Sequence, residues 1–487
     1  MTPFEDGGPG IFKRLLVGAG LVIFAAAGAT AVAAFREVDR VVEALKVQPE
    51  LKLGADLAET EPGNPQTLMI LGSDRRPKNN TEGAAGGRSD TIILIRLDPS
   101  KKATAMMSLP RDLKVQIPGH GTDKINAAYE TGGPRLTLKT VKRLTGLSIN
   151  HVINIDFSGF YEGVNAIGCV YADVDRRYYN NTAAYAYINV PAGYQRMCGR
   201  PALQYVRFRH EDTDLVRSAR QQDFLRQAKQ QIGVGGLIGK RDRLLQIFGK
   251  YTTSDIRSRS EVLRLLKLAV FSVGQPIQEI HFEGQITNGS EERNIPSYVT
   301  ASDATVQRLV QEFLNVQDTR GPRGELRARG QRLRRKKEGG DLGLEKADIA
   351  GKEQGVAAAQ QGAGGRLPVY YPTVRTRGSL YAGPPRVYKI KGPGGRRYGA
   401  YRMVIKRGVV GEYYGLQGLT WKNPPILENP SEKRTIAGRT YELHYDGDRL
   451  RLVAWRTRTA VYWVSNTLLQ TLSERQMLAI ARSTRKL

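Results

Sequence analysis

Residues 15–35 read LLVGAGLVIFAAAGATAVAAF and contain no charged side chain. As a helix rising about 1.5 Å per residue, the run reaches about 30 Å, the thickness of a bilayer hydrocarbon core. The competing reading is a cleaved signal peptide, because the small residues near ATAVAA suit a peptidase. Signal peptides carry a shorter apolar region of about 7–15 residues, so an uncleaved transmembrane anchor is expected. This segment separates a short tail, residues 1–14, from everything after residue 35. Lys13 and Arg14 precede it while Arg36, Arg40 and Lys46 follow closely, so flanking charge alone does not orient it. The expected arrangement is a single-pass protein of the cell membrane, tail inside and large part extracytoplasmic.

A chain of 487 residues suggests about three segments of domain size or smaller. With 40% hydrophobic and 25% charged residues it can build a core. The net charge of +27 seeks polyanions: nucleic acid, acidic lipid or phosphate-rich substrates. Composition does not choose among them. Cys169 and Cys198 are the two cysteines, and an oxidising exterior permits a disulfide worth about 3 kcal/mol by loop closure. The five histidines, His120, His151, His210, His281 and His444, show no zinc spacing. Each is expected at the surface or as a cap.

Residues 36–65, charged and then Pro/Gly-bearing, are expected to form a stalk. Residues 66–316 read as α/β. Short apolar runs at 67–72, 91–98 and 104–110 are strand-like, as are 151–157 and 170–174, and segments 134–147, 217–232, 260–273 and 302–314 are helical. Ser158 is a plausible N-cap for a further helix. Alternating elements of this kind predict a central sheet covered on both faces. Residues 317–366 hold RGPRGELRARGQRLRRKKEGG and then Ala, Gln and Gly, and are expected to be a disordered basic linker. Residues 367–487 read as a separate small α+β unit, with a DGD hairpin turn at 446–448 and capping-box spacing between Ser473 and Gln476.

Charge gathers at the ends of the first three apolar runs: Asp74, Arg75 and Arg76; Arg88 and Asp90; Arg111 and Asp112. The first and third groups follow their strands and the second precedes its own, so antiparallel pairing would align all three on one sheet edge. Downstream, DKINAAY supplies Lys124 and Asn126. YVRFRH supplies Arg207 and Arg209, on one face if the segment is extended. Asp214 opens a segment in which Arg217, Arg220 and Gln221 share one helix face near an N-terminus suited to an anion. Guanidinium forks suit phosphate oxygens, and carboxylates tolerate phosphate only across a divalent cation. Magnesium with a pyrophosphate ester satisfies both. Ordinary surface ion pairs explain any one pair but not the set.

In this order, LGSD, GGRSDTIILIRLDP, SLPRD, DKINAAY, YVRFRH and DLVRSARQQ resemble the motif series of the LytR–CpsA–Psr family of bacterial envelope proteins, over roughly residues 67–314. The resemblance implies a three-layer α/β/α sandwich with a central mixed sheet and an apolar groove for a lipid tail. It implies a phosphotransferase moving a glycopolymer from a polyprenyl-pyrophosphate carrier onto peptidoglycan outside the membrane. Asp74 and Asp90 match the family's magnesium ligands. Arg88, Arg111, Arg207, Arg209 and Arg217 match its pyrophosphate-binding arginines, Lys124 and Gln221 match further polar positions, and Arg111 with Asp90 would act in catalysis. Two other readings stand beside it. One is a hydrolase using water as acceptor. The other is an envelope regulator or binding protein without transfer activity. A specific nucleic-acid partner is not expected.

Overall fold

The aliphatic runs pair into one sheet because each is long enough to bury both faces and none is interrupted by proline. The computed structural model describes residues 36, 38–61, 63–73, 89–101, 103–182, 187–208, 212–232, 239–273, 275, 277–287, 297–316, 341–408, 412–447 and 449–487. Strands β1 (Gln66–Ser73), β2 (Ser89–Leu97) and β3 (Thr104–Leu109) form the centre, with β2 antiparallel to both neighbours. His151–Asp156 runs parallel to β1 and Ile277–Ile280 parallel to β3, with Thr252–Ser254 at the far edge, so the sheet is mixed. Met69, Leu71, Ile92 and Leu94 pack under the helices Ile125–Thr145 and Asp303–Leu314. Ile70 and Ile93 face the other layer, where the helices Phe157–Ala166, Gly199–Arg207 and Asp214–Gln231 lie. The expected transmembrane run lies outside the described residues, and no helix among the described residues is long and apolar enough to cross a membrane.

The C-terminal part is an eight-stranded antiparallel sheet with the helix Glu474–Arg482 against it. Asp446 pairs with Arg449 across the DGD turn, and Ser473 with Gln476 forms the capping box. This part is not separate. Trp463 Nε1 donates to Asp173 Oδ2 at 3.0 Å, and Arg402 Nη1 lies 3.4 Å from Asp173 Oδ1. Tyr194 packs in one cluster with Trp421 and Trp463, and Leu468 packs on Val216 and Ala219. Asp173 and Tyr194 sit on the ribbon of Val170–Val174 with Gly193–Met197. Cys169 and Cys198, at the same end of that ribbon, are joined by a disulfide with Cα atoms 4.5 Å apart.

Four local expectations are corrected. Residues 38–46 of the expected stalk are helical, and Val38, Val42 and Leu45 are buried with Ile256 and Val262. Within the expected linker, residues 341–366 are ordered, with a strand Leu344–Lys346 and a helix Asp348–Gln360. Gly351 explains that helix's docking: a Cβ there would stand 2.3 Å from the Pro372 carbonyl oxygen, so only glycine permits the approach. Asp156, not Ser158, caps its helix, accepting from the Gly159 N–H at 2.7 Å. His151 and His444 are buried, and His281 is half-buried. His151 is bonded to Asp255 at 2.7 Å.

At the interface of the two sheets Glu279 accepts from Arg226 Nε at 2.7 Å, beside His281 and Asp446. Burial first, and the Asp446 carboxylate second, push the Glu279 carboxyl up to about 8; the cations Arg226 and Arg451 offset this only in part. A folded-state value above the unfolded one means that the native state holds the proton longer. Its contribution is therefore full below about pH 4.5 and is lost as the pH rises through about 8. The neutral isostere Glu279→Gln is expected to narrow the difference in Tm between pH 5 and pH 9. An unchanged difference in thermal unfolding would show that Glu279 is ionised throughout.

Candidate active site

β1 ends and β2 begins side by side. Gly72 pairs with Thr91 and Ser73 with Ser89, so Asp90 is the extra residue of a β-bulge. A bulge of this kind locally re-aims a strand and is common beside active sites. The backbone of Asp90 therefore stands opposite the end of β1. Asp74, Arg88 and Arg209 lie outside the described residues, and of Asp90 only the backbone is described.

A second group forms where β3 leaves the sheet. Arg111, after Pro110, is buried, with Nε 3.9 Å from Asp112 Oδ1. Lys124 Nζ lies 3.2 Å from the same oxygen and 5.8 Å from the centre of the Tyr298 ring. The Asp112 N–H donates to Asp214 Oδ2 at 3.2 Å, and Asp214 pairs with Arg217. Arg111, Lys124 and Arg217 are thus drawn together through Asp112 and Asp214. Sequence reasoning noted both carboxylates without this linking role; their adjacency to Arg111 and to the helix start was the available signal.

The helix Asp214–Gln231 connects this group to the bulge. One turn after Arg217, Gln221 Nε2 donates to Thr91 Oγ1 at 2.9 Å and to the Val206 carbonyl at 3.2 Å. These bonds fix the helix to the start of β2. Arg220 turns elsewhere: fully buried, it pairs with Asp212 and donates to the carbonyls of Tyr205 and Phe208, both at 3.0 Å. It braces the chain just before Arg209 and is not presented to an anion. Arg207 is the last residue of the helix Gly199–Arg207, so the expected extended spacing with Arg209 does not hold at Arg207. Its guanidinium lies 3.9 Å from the centre of the Phe157 ring.

Arg207 and Gln221 also border a cavity of about 130 Å³ whose apolar wall includes Ile70, Ile93, Phe157, Phe160, Val206 and Phe224. Thr91 and Asp156 complete its polar rim. The phenylalanines gave no sequence signal of a cavity, because aromatic residues on helices read equally as core. The arrangement offers a water-excluding apolar slot on one side of a sheet edge and a group of cations along it.

The chain belongs to the LytR_cpsA_psr family, whose model matches residues 28–313, more than half of the chain. It is 31% identical over 254 residues to the polyisoprenyl-teichoic acid–peptidoglycan teichoic acid transferase TagU of Oceanobacillus iheyensis, covering 50% of this chain and 74% of that protein. It is 32% identical over 223 residues to the corresponding TagT of Bacillus subtilis, covering 44% of this chain and 68% of that protein. Among solved structures, Bacillus subtilis TagV is 25% identical with a TM-score of 0.43, covering 52% of this chain and 97% of that chain.

Proposed function

We propose that this chain moves a glycopolymer from a polyprenyl-pyrophosphate carrier onto peptidoglycan, held at the outer membrane face by residues 15–35. It is a transferase, as its named family relatives are. The observation that carries the finer reading is the apolar cavity bordered by Arg207 and Gln221, on the sheet edge where Arg111, Lys124 and Arg217 gather. An amphiphile with a long apolar tail and a diphosphate head needs both features in one place.

Phosphoryl transfer depends on positioning and on neutralising charge. In this reading Arg111, Arg207, Arg209 and Arg217 hold diphosphate oxygens, and the cavity takes the first part of the tail. An acceptor hydroxyl oxygen bonds to the phosphorus on the polymer side, the bridging P–O bond breaks, and polyprenyl phosphate leaves. Asp90 or Asp74 is proposed to receive the hydroxyl proton. Asp74 and Asp90 are proposed to hold magnesium, because hard cations take carboxylate oxygens and the two residues belong to the adjoining ends of β1 and β2 in the sequence. Bound there, it would neutralise diphosphate charge.

The test is incubation of the full chain with a synthetic polyprenyl-pyrophosphate glycan, with and without a peptidoglycan fragment. Covalent linkage to the fragment supports transfer, whereas release of free polymer at the same rate without it would establish hydrolysis instead. In the same assay Arg209→Lys keeps the charge and loses the fork. A charge-assisted hydrogen bond of about 1.5–3 kcal/mol corresponds to a loss of about one to two orders of magnitude in kcat/KM. A wild-type value would remove Arg209 from the site.

A further inference from the structure

The C-terminal sheet carries a cleft of about 930 Å³ into which Arg366, Lys389, Arg396, Arg397 and Lys422 project, with no carboxylate in its lining. All five are exposed, and none makes an ion pair among the described residues. Other arginines of the same part are paired: Arg375 with Glu345, Arg377 with Asp341, Arg434 with Glu432, Arg456 with Glu442. Five converging unpaired cations repel one another, and an anion relieves that repulsion.

Tyr388 and Tyr398 line the cleft, and each is held from behind. Tyr398 stacks on Trp421 with centroids 5.4 Å apart, and Tyr388 Oη donates to the Tyr194 carbonyl at 2.9 Å. The sequence builds this locally through KGPGGRRYG. A Cβ at Gly392 would stand 2.6 Å from the Tyr398 ring, so glycine lets the turn close over it and places Arg396 and Arg397 at its end. Arg386 lies 4.0 Å from the centre of the Tyr388 ring and Arg396 5.3 Å from that of Tyr398, so the ring faces are engaged within the protein; the spaced cations suit the phosphates of a phosphodiester chain.

We propose that this cleft binds a phosphate-bearing glycan or polyol chain, the distal part of the polymer whose diphosphate end enters the active site. This rests on the proposed transfer function for the identity of the polymer but not for binding itself. Strand Arg386–Lys391, which carries Tyr388 and Lys389, docks on the Gly193–Met197 strand, so the cleft and the active site belong to one connected body.

The test is binding of the full chain to a soluble poly(glycerol phosphate) oligomer by calorimetry, against the quadruple variant Lys389→Gln, Arg396→Gln, Arg397→Gln and Lys422→Gln. The expected result is salt-sensitive binding weakened at least tenfold in the variant, with thermal unfolding unchanged because the side chains are exposed. An uncharged dextran oligomer is expected to bind at least tenfold more weakly than the phosphate polymer. Equal affinity of variant and wild type would overturn the proposal. Tighter binding to phosphatidylglycerol vesicles than to the polymer, lost in the same variant, would overturn it in favour of a membrane-facing surface. Absence of transfer with polymer binding intact would count against the enzymatic reading alone.

Discussion

Replacing Asp90 by alanine is expected to reduce transfer at least a hundredfold while leaving the fold intact. A hundredfold is about 2.7 kcal/mol of transition-state stabilisation, within the reach of one electrostatic group. The fold is expected to survive because Asp90 is the extra residue of the bulge, so the neighbouring pairs Gly72 with Thr91 and Ser73 with Ser89 do not depend on it. Residual activity is expected to have lost its dependence on magnesium. The measurement is initial transfer rate across a magnesium titration, with thermal unfolding as the control for folding. Full activity with unchanged metal dependence would remove Asp90 from the site.

The second large effect is structural. Asp173→Ala is expected to destabilise the chain by about 3–5 kcal/mol, the cost of leaving a buried ion-pair partner uncompensated. Arg402 is fully buried and keeps its bond to Ser465 Oγ at 2.8 Å, but it loses the only carboxylate the ion pairs assign to it among the described residues. Trp463 loses the acceptor for its indole N–H at the same time. Differential scanning calorimetry is expected to show Tm lowered by roughly 10 °C. Adding Arg402→Met is expected to recover part of the loss, because an apolar pair of similar volume avoids the buried charge. A single variant within about 2 °C of wild type would mean that the Asp173 pairings contribute little to the joint between the ribbon and the C-terminal sheet.

These two sites differ in how legible they were. The strands around Asp90 were readable because their apolar runs are continuous and β-branched, a pattern that a sheet covered on both faces demands. The antiparallel pairing of β1 with β2, expected from the charge near their adjoining ends, is what the register shows. Arg207 was misread because a helix C-terminus and an extended segment both accept YVRFRH; the decision comes from Tyr205 and Val206 packing in the cluster with Phe224. The stalk helix was hidden because Val38, Val42 and Leu45 are spaced among charged residues, and their partners, Ile256 and Val262, are more than two hundred positions away. The ordered helix Asp348–Gln360 was hidden for the opposite reason. Its glycines lower helix propensity and pay off only through contact with Tyr371 and Pro372. Asp173 with Trp463 is a contact between distant segments, and nothing local to either residue announces it.

The most direct measurement is a crystal structure of the chain with a polyprenyl pyrophosphate. The tail is expected in the cavity bordered by Ile70, Ile93 and Phe224, and the diphosphate between Arg207 and the group formed by Arg111 and Arg217. A tail bound anywhere else, or a diphosphate out of reach of both Arg111 and Arg207, would contradict it.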